Sequence, residues 1–137
     1  MDPTLWDLFH DATLAGIAGA VPGDLSLKVD IPYLREHFPG AGEGFVVLLR
    51  GCTQFTYEPY EGSPTSDLAA IEALELWILG AEPGDPMPIA CGDGTLLVHF
   101  ASAQIKLENG IEVSLSELED ASQGYWREWS GRYGSAL

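Results

Sequence analysis

A chain of 137 residues with 46% hydrophobic content is long enough to form one domain, residues 1–137, around its own core, and it lies outside the composition of disordered proteins. Its six basic residues stand against 21 acidic ones, a formal net charge of −15, so phosphate backbones and anionic lipid are repelled and nucleic-acid or membrane-surface binding is disfavoured. The same charge suits solubility and fast, steered association with a basic protein partner, although acidic surfaces also occur with no partner at all.

Two cysteines, Cys52 and Cys91, are too few and too far apart for a disulfide framework or a zinc knuckle, and both sit in strand-like surroundings. Reduced, mostly buried thiols are expected. The first residues, Met1-Asp2-Pro3-Thr4-Leu5-Trp6, lack the basic region of a signal peptide, and no apolar run approaches membrane-spanning length. The expected location is cytoplasmic.

Taken in order, Pro3–Phe9 has Leu5, Trp6 and Phe9 at helical spacing and reads as a helical plug that packs on the core. Phe9-His10-Asp11-Ala12-Thr13-Leu14 holds the one closely spaced His and Asp. Thr13–Ala20 and Leu25–Ile31, joined by Pro22-Gly23, read as a hairpin whose second strand alternates apolar and polar residues. Pro32–Gly44 is a connection with a helical turn at Tyr33–His37. Its Gly40-Ala41-Gly42-Glu43-Gly44 run is no dinucleotide loop, because such a loop follows a strand and opens a helix, and here the order is reversed.

Phe45–Tyr57 reads as one long strand bent at Gly51, with Phe45–Leu49 apolar enough to be buried on both faces. Tyr57–Pro64 is a polar, aromatic loop of the kind that carries function. Ser66–Leu74 favours helix by propensity and Leu76–Leu79 favours strand. Two further hairpins follow, Ile89–Cys91 with Thr95–Ala101 across Gly92-Asp93-Gly94, and Ile105–Leu107 with Ile111–Val113 across Asn109-Gly110. Ser114 and Glu117 have capping-box spacing, and Leu115, Leu118, Ser122, Tyr125 and Trp129 recur along one face, which predicts a helix over Leu115–Ser130 with Tyr125 and Trp129 on the sheet. The fold class expected is mainly β (α+β): a curved antiparallel sheet or partly open barrel of about seven or eight strands, a C-terminal amphipathic helix and one or two short helices.

Few residues offer chemistry. His10 and Asp11 are adjacent, and on a strand adjacent side chains point to opposite faces, so a direct dyad is not expected. His10 would then need a distant partner such as Cys52, Glu43 or His99 to act as a base; otherwise it is a hydrogen-bonded structural residue. Asp11 can be explained as an acceptor of backbone N–H groups at the helix-to-strand junction, in which case Asp11→Ala costs roughly 1–3 kcal/mol. Cys52 has no local signature of an activated thiolate. His10, His37 and His99 have no metal-ligand spacing, Asp93 sits in too short a turn for a calcium loop, and neither a cofactor motif nor a nucleophile elbow is present. The catalytic candidates are therefore His10, Asp11 and Cys52 only, and no cofactor or metal is expected.

Phe9-His10-Asp11-Ala12, opening a short acidic β-rich chain, resembles the F-H-D-A signature of small bacterial proteins of unknown function and of immunity-protein families of polymorphic toxin systems. The likeness covers Phe9–Leu14 and the general order of strand, hairpins and helix. What it implies is a toxin-neutralising binder, monomeric or homodimeric, that acts by covering its target rather than by catalysis. Read as a binding module, the chain would engage a basic protein through its acidic surface and through Tyr57, Tyr60 and Trp126. Read as a hydrolase-type enzyme or small-ligand protein, it would place His10 in a pocket.

Overall fold

The computed structural model describes residues 2–133. Among these described residues nine strands form two antiparallel sheets that are not closed into a barrel. Sheet one contains β1 (Thr13–Gly19), β2 (Gly23–Asp30), β3 (Gly44–Cys52), β8 (Ser102–Leu107) and β9 (Glu112–Val113), in that spatial order. Sheet two runs β4 (Gln54–Pro59), β7 (Gly94–His99), β6 (Met87–Cys91), β5 (Ile78–Ala81). Four helices accompany them: α1 (Thr4–Leu8), α2 (Pro32–Arg35), α3 (Leu68–Ala73) and α4 (Leu115–Tyr133). The mainly β class with a C-terminal helix is therefore present, with two sheets in place of one.

The two sheets arise from one corner. β3 and β4 are a single run that turns at Gly51, whose φ of 61° lies in the left-handed region. β8 and β7 bend beside them, with Arg50 opposite Ser102 before the corner and Gln54 opposite His99 after it. The bend anticipated at Gly51 thus carries the strand from one sheet to the other. Phe45–Leu49 is not buried on both faces: Phe45, Val47 and Leu49 are buried and Val46 and Leu48 half-buried, as one core face requires.

One core fills the space between the sheets. Leu25, Leu27 and Val29 of β2 and Phe45, Val47 and Leu49 of β3 face Phe55, Ile89, Leu96 and Val98 of sheet two. The helical plug is α1: Trp6 and Phe9 are buried, Phe9 stacks on Phe45 at 5.7 Å, and Trp6 meets Phe9 edge-on at 6.1 Å. Truncating so large a buried ring costs on the order of 3–5 kcal/mol, so α1 is part of the core rather than an appendage.

α4 begins as its sequence predicts. Ser114 Oγ accepts from Glu117 N–H at 3.0 Å and Glu117 Oε1 accepts from Ser114 N–H at 3.1 Å, the reciprocal capping box. Leu118 is buried, but Tyr125 and Trp129 do not pack on a sheet as expected. Tyr125 lies 4.5 Å from Tyr33 of α2 and edge-on to His37, while Trp129 is 42% exposed and meets Trp126. α4 packs against α2 and α1, and Tyr125 is taken up by the aromatic surface that Tyr33 and His37 supply.

Candidate functional site

The His10–Asp11 pair does not lie on a strand. α1 ends at Leu8, and residues 9–11 form a turn in which Ala12 N–H donates to Phe9 O and Asp11 N–H to Ile78 O. Asp11 has a φ of 73°, a left-handed conformation that Asp tolerates better than most residues. The turn brings together what a strand would separate: His10 Nε2 stands 3.5 Å from Asp11 Oδ1. The expectation that adjacency forbids the contact fails because it assumed extended backbone.

The other partners define what this pair does. His10 Nδ1 is 2.6 Å from Leu79 O, and Tyr33 Oη donates to His10 O at 2.7 Å. Asp11 Oδ1 accepts from the indole Nε1 of Trp77 at 3.2 Å rather than from backbone N–H groups. With Nδ1 donating to Leu79, Nε2 also donates to Asp11 only when the ring is an imidazolium. Both side chains are about half exposed, so neither sits in the dry pocket that acid–base chemistry uses. Cys52 is elsewhere: it is buried, donates to Gln54 O, and burial pushes its thiol up, the reverse of nucleophile activation. Burial pushes Cys91 up as well, to about 11. Among the described residues no group of three or more His, Cys, Asp or Glu could hold a metal ion.

Trp77 ties this turn to a concave surface of about 630 Å³ lined by residues that include Tyr57, Pro59, Leu74, Glu75, Trp77 and Asp93. Trp77 is 52% exposed, Leu74 53% and Tyr60 72%. Tyr60 N–H donates to Asp93 O at 2.9 Å, which holds the β4 end against the β6–β7 turn. Tyr57 belongs to β4 and is buried, so it lines the concavity without standing out from it; burial, with the Cys91 and Asp93 charges behind it, raises its phenol. Gly92 is close beneath Trp77: a Cβ there would stand 3.3 Å from Trp77 Cε3.

Trp126, 45% exposed on α4, reaches the same region by contact. Its ring is 6.3 Å from Tyr33, whose hydroxyl bonds His10 O, and the His10–Asp11 turn then meets Trp77. Burial, with the Asp11 charge next in weight, pushes Tyr33 up to about 12, so the Asp11 carboxylate is felt at the aromatic cluster. Tyr60, Trp77 and Trp126 are exposed aromatics separated by carboxylates, and the Phe9–Ala12 turn is the bracket between two of them. The sequence places Trp77 on a strand and does not mark it as a binding residue. Its signal is the alternation over Leu76-Trp77-Ile78, where buried Leu76 and Ile78 send Trp77 outward.

The sheet edges beside this surface already have partners. Glu72 Oε2 accepts from Ile17 N–H on β1 at 2.7 Å, Asp7 Oδ1 from Ala81 N–H on β5 at 2.9 Å, and Tyr57 of β4 exchanges backbone bonds with Thr65. A partner strand would find these edges occupied. Two further concavities, of about 430 Å³ beside Asp7 and Ala81 and about 290 Å³ beside Trp6, lie elsewhere, and His10 is not among the residues lining any of the three. Scans against protein families, characterised proteins and solved structures find nothing that this chain matches. No helix among the described residues is long and apolar enough to cross a membrane.

Proposed function

We propose that the protein is a non-catalytic binding module that engages a basic protein through the concave face around Trp77. The observation that carries this reading is the exposure of Trp77 and Leu74 on a concavity that also carries Glu75 and Asp93, with Asp11 bonded to the indole edge and the exposed Tyr60 held next to it by its backbone bond to Asp93. Exposed Trp and Tyr are among the residues that carry most of the energy of an interface, and carboxylates around them select lysine and arginine. A net charge of −15 adds long-range attraction for such a partner. The resemblance of Phe9–Ala12 to immunity proteins points to the same kind of occupant, a toxin neutralised by being covered.

Peptide display against the purified protein tests the reading. Enriched sequences are expected to be rich in Lys and Arg. Their affinity should fall by about tenfold or more in Trp77→Ala and in Tyr60→Ala, and should fall again as salt rises from about 50 to about 500 mM. Enrichment of acidic or neutral peptides, salt-insensitive binding, or full affinity in both variants overturns it.

A further inference from the structure

The His10–Asp11 turn places a protonation site beside the concave face around Trp77. His10 Nδ1 lies 2.6 Å from Leu79 O, and a carbonyl oxygen only accepts, so Nδ1 carries the proton of the neutral ring. Nε2 is then a lone pair, and at 3.5 Å it faces Asp11 Oδ1, a second electron-rich atom. The same Oδ1 accepts from Trp77 Nε1 at 3.2 Å. A proton on Nε2 turns the opposition into an ion pair, and one carboxylate oxygen then serves imidazolium and indole together. The ring is about half exposed, so that proton comes directly from solvent.

Among the described residues, Asp11 is the one charged side chain in ion-pair contact with the ring. Asp7 of α1 turns its carboxylate to Ala81 N–H on β5, and Tyr33 of α2 gives its hydroxyl to His10 O. Arg35 of α2 is tied to Glu108. α4 reaches the turn through Tyr33, against which Tyr125 and Trp126 pack, with His37 edge-on to Tyr125. Glu75 and Asp93 share the concavity with Trp77.

We propose that His10 is a proton switch on the binding of a basic partner, an inference that rests on the function assigned to the Trp77 face. With His10 neutral, the Asp11 carboxylate stands as a full negative charge beside the indole and attracts lysine or arginine. With His10 protonated, the imidazolium offsets that charge and competes for Asp11 Oδ1, so the partner is held less tightly as pH falls. Histidine changes charge between about pH 5 and 8, whereas lysine and arginine keep theirs, so the response belongs to this side of the interface.

The first readout needs no partner: the indole N–H resonance of Trp77, identified by its loss in Trp77→Phe, followed from about pH 8 to about pH 5. It should move with pH in the wild-type protein and hold still in His10→Gln. In Asp11→Asn it should lose most of its movement, so the outcome does not hang on one variant. The second readout is affinity for a Lys/Arg-rich peptide at about 50 mM salt, expected to fall about threefold over that window in wild type and to stay level in His10→Gln. His37 and His99 are present in both proteins, so the difference isolates His10. A Trp77 resonance that stays still in wild type, or moves equally in His10→Gln, while such peptides bind overturns the switch and leaves the binding face standing. An affinity that falls equally in both proteins overturns it too. Failure of every Lys/Arg-rich peptide to bind at about pH 8 overturns the binding reading itself, and the switch as its control.

Discussion

Arg35 Nε donates to Glu108 Oε1 at 2.8 Å, and this pair fastens the α2 loop to the end of β8. Among the described residues Arg35 is the one buried charged residue, at 2% exposure, and three of its four other N–H groups donate to Phe38 O, Pro39 O and Ala41 O at 3.1–3.3 Å. Glu108 in turn accepts from Glu43 N–H at 2.7 Å and Gly44 N–H at 3.2 Å. The loop that carries Tyr33 toward His10 and Trp126 is therefore held by one guanidinium and one carboxylate. Arg35→Met should cost about 3–5 kcal/mol in urea unfolding, because it leaves Glu108 without its buried counter-charge and three carbonyls without donors. Arg35→Lys should recover little of that loss, since a single ammonium cannot reach the acceptors that surround the in-plane fork of the guanidinium.

The same pair sets an acid limit on stability. Burial pushes the Glu108 carboxyl up, but the Arg35 guanidinium and the N–H groups of Gly44 and Glu43 outweigh it and hold the group at about 2, down from 4.5. A folded value below the unfolded one means that the stabilisation is complete above about pH 5 and is lost as pH falls toward 2. On the order of 2–3 kcal/mol is at stake, with the side chain 25% exposed. Other carboxylates titrate in the same range, so the measurement is the difference in urea midpoint between wild type and Glu108→Gln. That difference should shrink between pH 5 and pH 2; a difference constant across the window would show that Glu108 gains nothing from its ionised form.

Much of this fold is legible in the residues. The Asn109-Gly110 and Gly92-Asp93 turns, the alternation of β2, the Ser114/Glu117 cap and the apolar spacing of α1 are local signals, and each element stands where its signal lies. What could not be read depends on distant partners. Arg35 and Glu108 are 73 positions apart, Asp11 and Trp77 are 66 apart, and no periodicity links either pair. The division into two sheets was hidden because Gly51 marks a bend but not its angle, which is set by the facing bend between β7 and β8. His10 and Asp11 meet, where a strand would part them, because the helix end at Leu8 continues as a turn through Asp11 before the strand begins at Thr13.

Glu72 guards the open side of β1. Its carboxylate accepts from Ile17 N–H at 2.7 Å, a ladder position that no strand fills. Glu72→Ala should lower stability by about 1–2 kcal/mol, the cost of a charge-assisted bond to a part-buried amide. It should also raise self-association, because it opens an edge with a free N–H. Light scattering of the folded protein at high concentration checks the second effect. Glu72→Gln, which keeps an acceptor oxygen, should restore most of the stability and all of the solubility; equal aggregation in both variants would mean that charge, not edge protection, keeps the protein monodisperse.

Asp11 separates stability from binding. Its acceptor role serves an exposed indole, so Asp11→Ala leaves no buried donor unpaired, and the cost of roughly 1–3 kcal/mol expected for lost backbone bonds does not apply. What remains is the left-handed backbone at φ 73°, where Ala is worse than Asp by about 1 kcal/mol and Asn is as good. Asp11→Asn should therefore unfold within about 0.5 kcal/mol of wild type, and Asp11→Ala about 1 kcal/mol earlier. Against a Lys/Arg-rich peptide selected on the wild-type protein, both variants should bind more weakly and with a smaller salt dependence, since each removes one negative charge beside Trp77. A loss of stability above about 2 kcal/mol in Asp11→Asn would instead make the carboxylate a structural element of the turn, and the weaker binding would then report a displaced Trp77 rather than a missing charge.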